Sequence, residues 1–169
     1  MNKKRAKPRF INPPNKLKVK VGSGGISDAL IKKGQDAIDI VQAKLEFDPY
    51  AQQFLSQINA QIKAAKEVGE DHRGEFQDAL AGPVMQLKAN GAMFGYDLIS
   101  EIADIALNFI EEIEILDNEG IEVVQAHERA IQVILQNKLK GNAGNAGYEL
   151  ATELDALCQR YFKKRQSDD

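Results

Sequence analysis

The sequence has no tryptophan, one cysteine, two histidines and five prolines in 169 residues. Each shortage removes a class of explanation. A lone cysteine, Cys158, excludes an internal disulfide and fits a reducing compartment. His72 and His127, distant from each other and from Cys158 in sequence, do not make a zinc set. No apolar run approaches the roughly 20 residues that span a bilayer. Residues 1–20 contain no acid, but no apolar stretch of secretory type follows them. There is no Gly-x-Ser-x-Gly elbow and no His-Glu-x-x-His. These gaps point to a cytoplasmic, non-enzymatic protein without cofactor, metal site or transmembrane segment.

What is present is ordinary in amount and uneven in placement. Hydrophobic content of 43% and charged content of 28% suit one globular core in a chain of this length. The net charge is −3, yet Lys3, Lys4, Arg5, Lys7, Arg9, Lys16, Lys18 and Lys20 give residues 1–20 a charge of +8. The remainder therefore carries −11, the difference between the two. Residues 1–22 read as a basic, extended arm ahead of a domain over 23–169, with Pro13-Pro14 opposing helix. Such an arm is most simply a solvated tail. Binding to nucleic acid or an anionic surface is the alternative use of its charge, and for nucleic acid the aromatic–basic interleaving that supports base stacking is missing.

Beyond Gly25 the apolar spacing is helical nearly throughout, and no strand pattern persists. Ile26, Leu30, Ile31, Ala37, Ile38, Val41 and Leu45 predict a first helix with Ser27 or Asp28 as cap. Asp48-Pro49 reads as the start of a second, Asp48 capping and Pro49 in first position, with Gly69 at its end. A third helix runs from about Arg73 to Met93, a fourth from near Tyr96, a fifth over about Glu119–Leu139 and a last over about Tyr148–Lys163. The expected fold is an all-α, antiparallel helical bundle. GNAGNAG (141–147) reads as a flexible connector, since it follows no strand and lacks the Lys-Ser/Thr of a phosphate loop. EEIEILDNEGIE (111–122) lacks the alternating oxygen ligands of a calcium loop.

The third helix has an unusual face. At about 100° per residue, Phe76, Leu80, Val84, Leu87, Gly91 and Phe94 share the core-facing sector. Ala81, Met85, Lys88, Ala89 and Ala92 share another, about a third of a turn away. Small residues there leave room for a second surface, and Lys88 offers a cation to a phosphoryl group or an aspartate cluster. Gly82, Gly91 and Gly95 each lower helix stability by about 1 kcal/mol relative to alanine, and Pro83 by about 3. A kink or break is expected just before Met85.

These residues carry a resemblance. Leu87-Lys88-Ala89 through Gly95-Tyr96-Asp97-Leu98 resembles the histidine-containing phosphotransfer (HPt) domain of bacterial phosphorelays. INPPNKLKVKVG (11–22) with FGYDLISEIA (94–103) is similar to a group of small stand-alone HPt-like proteins. The resemblance implies a four-helix core with additional helices. It places the family's lysine on Lys88, its second glycine on Gly95 and its leucine on Leu98. Ala89 stands where the family has glycine, and Met85 where it has the phosphoacceptor histidine. A thioether cannot form a phosphoramidate, so the resemblance is to a member that has lost transfer.

The expected function is therefore a phosphotransfer-inactive signalling protein that binds a response-regulator receiver domain, or a related partner, through Ala81, Met85, Lys88, Ala89 and Ala92. An active phosphocarrier using His72 or His127 is the first alternative. His127 shares a sector with Val123, Val124, Ile131 and Ile134, a setting where histidine is usually a hydrogen-bonded core residue. A small-residue stripe also serves helix pairing, so a homodimer is a further use of the same face.

Overall fold

The amphipathic segments fold as helices, and among the described residues there is no strand. The computed structural model describes residues 26–44 and 46–168, with side chains described over 26–38 and 46–166. The expected arm, residues 1–22, lies outside the described residues. Two units divide the chain, one ending at Val41 and one beginning at Gln42.

The first unit contributes most of α1 (Asp28–Lys44). Ser27 starts the helix, its hydroxyl accepting from the Leu30 amide at 3.3 Å, while Asp28 supplies a negative charge in the first turn. Every side chain from Ile26 to Ile38 is exposed.

The second unit contains α2 (Phe47–Glu67), α3 (Gly74–Gly91), α4 (Asp97–Glu112), α5 (Asn118–Gln136) and α6 (Gly144–Asp168). Two 3-10 turns, Glu70–His72 and Ala92–Phe94, precede and follow α3. Helix α2 packs on α3, α3 on α4, α4 on α5 and α5 back on α2, so four helices close into a ring. Helix α6 lies against α4 and α5. The 3.6-residue periodicity sends Leu55, Ile58, Ile62, Leu80, Leu87, Ile99, Ile102, Ile131 and Ile134 into the shared core, all fully buried. Removing such side chains from water is the main favourable term, about 1.5–3 kcal/mol each.

Buried polar side chains close the helix ends. The Arg73 guanidinium donates to the carbonyls of Ala65 and Val68 at the end of α2 and to that of Leu116. The Gln77 amide donates to Ile110 and Ile113 at the end of α4. These carbonyls lack helical partners, and a buried unpaired one costs about 1–3 kcal/mol. Asp117 caps α5, accepting from the Gly120 amide at 2.6 Å, and also meets the Tyr161 hydroxyl and the Arg165 guanidinium of α6.

Four boundaries differ from the sequence reading. Helix α2 starts at Phe47, with Glu46 at the cap position, so Asp48 and Pro49 lie inside the first turn. Phe47 is buried against Phe94 and Tyr96, with ring centroids 5.2 and 5.4 Å away, and that anchor sets the start. The Asp48 carboxylate accepts from the Tyr96 hydroxyl at 2.9 Å instead of capping α2. Helix α3 continues through Pro83 without the expected break before Met85; Pro83 is buried, and packing against α2 and α4 offsets the missing amide. Helix α5 ends at Gln136, short of Leu139. Helix α6 begins at Gly144, inside the segment expected to be a flexible connector. That segment is pinned by backbone: the Gly141 amide donates to the Gly95 carbonyl at 2.7 Å, and the Leu98 amide to the Gly141 carbonyl at 3.0 Å. Gly147 has no room for a side chain, since a Cβ there would lie 1.9 Å from the Asn142 carbonyl oxygen.

The outer face of α3 as candidate functional site

Helix α3 presents two faces. Leu80, Val84, Leu87 and Gly91 are buried, while Phe76 and Phe94 pack half-buried at the margin of the core. Roughly a third of a turn away, Met85 is 48% exposed and Lys88, Ala89 and Ala92 are exposed beside it. Ala81 is half-buried and packs against the core, so it forms the lower edge of the face and not its centre.

Lys88 is not a solitary charge. Its ammonium pairs with the Asp104 carboxylate of α4 at 2.5 Å, with both side chains nearly half exposed. An exposed pair of this kind contributes about 0–1 kcal/mol, so a competing carboxylate or phosphoryl oxygen exchanges for Asp104 at small cost. The backbone beneath is rigidly held. The Ser100 hydroxyl of α4 donates to the Lys88 carbonyl and accepts from the Ala92 amide, tying the end of α3 to α4.

The glycines around this face have separate causes. A Cβ on Gly91 would lie 2.9 Å from the Ser100 amide nitrogen and 3.1 Å from the Tyr96 carbonyl oxygen, so glycine permits the close crossing of α3 and α4. Gly95 has φ of 76°, a left-handed conformation that favours glycine. Nothing in the structure requires glycine at position 82.

Beside the stripe lies a groove that the sequence reading missed. Phe47, Tyr50 and Phe54 of α2 face Gln86 and Asn90 of α3, with Met93 and Phe94 closing the end, around a volume of about 340 Å³. Tyr50 and Met93 are about half exposed. The groove belongs to two helices, so the wheel of α3 alone could not reveal it. The signal available was Tyr50 and Phe54 standing at one margin of the apolar stripe of α2.

The histidines lie elsewhere. His72 is exposed in the turn before α3. His127 is 1% exposed on α5, which is not a ring neighbour of α3. Its Nδ1 donates to the Val123 carbonyl at 2.8 Å, leaving Nε2 as the acceptor, 3.8 Å from Cys158 Sγ. Burial lowers the pKa of His127 below the usual 6.5, against weaker opposing effects of the Val123 carbonyl and the Asp155 charge. Burial, with the charge of Asp155 next, pushes the Cys158 thiol up to about 12. A neutral imidazole beside a neutral thiol, both enclosed, is a packed pair and not an activated nucleophile. Among the described residues no cluster of three metal-ligating side chains occurs, and no helix is long and apolar enough to cross a membrane.

No family model, curated protein or solved structure matches the chain.

Proposed function

We propose that this protein is an HPt-like signalling protein that has lost phosphotransfer and binds a response-regulator receiver domain through the outer face of α3. The observation that carries the reading is the exposure of Met85 at the centre of that face, at the position where the sequence resemblance sets the phosphoacceptor. A flexible, polarizable thioether suits a protein contact and has no nitrogen to phosphorylate. Ala89 and Ala92 permit close approach, Lys88 supplies charge exchangeable from Asp104, and the groove at Tyr50 and Met93 extends the contact with apolar surface. Bound there, the protein sequesters a receiver or competes with active phosphotransfer domains for it.

The active-carrier alternative meets a physical obstacle at His127, which is enclosed in the core. His72 is the accessible imidazole, but it lies off the stripe. Mixing the protein with a receiver domain bearing labelled phosphate tests both readings. The expected result is complex formation with no acid-labile label on this chain. Label that disappears in His72→Gln would establish the carrier instead.

A further inference from the structure

Over its described side chains, helix α1 has a second exposed apolar surface, and its chemistry differs from that of α3. Ile26, Leu30, Ile31 and Ile38 are between 51% and 70% exposed. On a wheel Leu30, Ile31, Ala37 and Ile38 fill one sector of about 120°, while Asp28, Lys32 and Asp36 fall opposite; Ile26 lies just before the helix. The charged side chains of the described stretch, Asp28, Lys32, Lys33 and Asp36, cancel. A 17-residue helix whose described apolar side chains lie in water is marginal by itself, because nucleation is unfavourable and burial normally supplies the stability. Immediately before it in sequence come eight basic residues and no acid, whereas the rest of the chain is strongly acidic.

We infer that α1 and the basic residues preceding it form a docking element for an anionic membrane surface, the apolar face entering the acyl boundary and the lysines and arginines meeting lipid phosphates. The two features select this occupant together. A bilayer offers an apolar layer and dense negative charge within a few ångströms of each other. Nucleic acid matches the charge but leaves Leu30 and Ile31 in water. A second copy covers the apolar face, but it brings another segment of +8. The acidic remainder is repelled by the same surface, which confines attachment to this end of the chain. This element is separate in sequence from the face of α3, and the inference does not rest on receiver binding.

Co-sedimentation of the full chain with phosphatidylcholine vesicles, with and without phosphatidylglycerol, tests the inference. Binding is expected only with the anionic lipid, falling with added salt, with helical circular dichroism increasing on addition of vesicles. Leu30→Glu/Ile31→Glu should abolish it. Lys3→Gln/Lys4→Gln/Arg5→Gln should weaken it about 100-fold, at about fivefold per basic residue near the surface. Both sets of changes spare the buried core, so each variant should fold. Binding to neutral and anionic vesicles alike, no binding to either, or unchanged binding by the Leu30→Glu/Ile31→Glu variant overturns the proposal. So does tighter capture by duplex DNA or by an acidic protein than by the anionic vesicles.

Discussion

At Met85 the side chain limits what the surface can do. Histidine there would offer a nitrogen to a phosphoryl group; methionine offers only a soft apolar contact. The buried histidine on α5 has a different consequence, for stability. His127 is held neutral in the folded protein, with its pKa below 6.5. Below about pH 6.5 the unfolded chain binds a proton at this residue that the folded chain resists. The stabilisation from the neutral ring is thus complete above that pH and is lost as pH falls through it. Chemical denaturation of the wild type should show stability decreasing from pH 7 to pH 5. His127→Gln should be less stable at pH 7 and show a shallower decrease, and parallel pH profiles for the two proteins would remove His127 as the cause.

Among the elements, what could be read in the sequence depended on how local the cause was. Helix α1 was legible through Ser27, because a cap acts over three residues. The starts of α2 and α6 were not. Phe47 sets the first by packing on Phe94 and Tyr96, and backbone bonds from Gly141 to Gly95 and to Leu98 in the first turn of α4 fix the approach to the second. The core face of α3 followed from spacing alone, and so did the exposure of Met85, Ala89 and Ala92. The Lys88–Asp104 pair and the groove at Tyr50 did not, since each needs two helices in register. The crossing of α3 and α4 yields a direct prediction. Gly91→Ala sets a methyl against the Ser100 amide and the Tyr96 carbonyl, both backbone groups with little freedom to retreat. It should destabilise the protein by about 1–3 kcal/mol in urea unfolding. The helix-propensity gain of about 1 kcal/mol works in the other direction, and a net increase in stability would show that the helices separate freely.

Across the whole molecule, the helices of the second unit gather most of its large apolar side chains into one core, while Met85, Lys88, Ala89 and Ala92 stay exposed along the outer face of α3. Lys88 lies at one margin of that face and Ala92 at its C-terminal end, and neither side chain is buried. Substitutions at both should therefore change binding without changing the fold. The most direct measurement is calorimetric titration of the wild type, Lys88→Glu and Ala92→Arg with receiver domains prepared from the same cell. A receiver domain should bind the wild type, and each variant should weaken that binding at least about tenfold, a loss of about 1.4 kcal/mol, with unfolding transitions little changed. If no receiver domain binds, or both variants retain wild-type affinity, the outer face of α3 is not the contact.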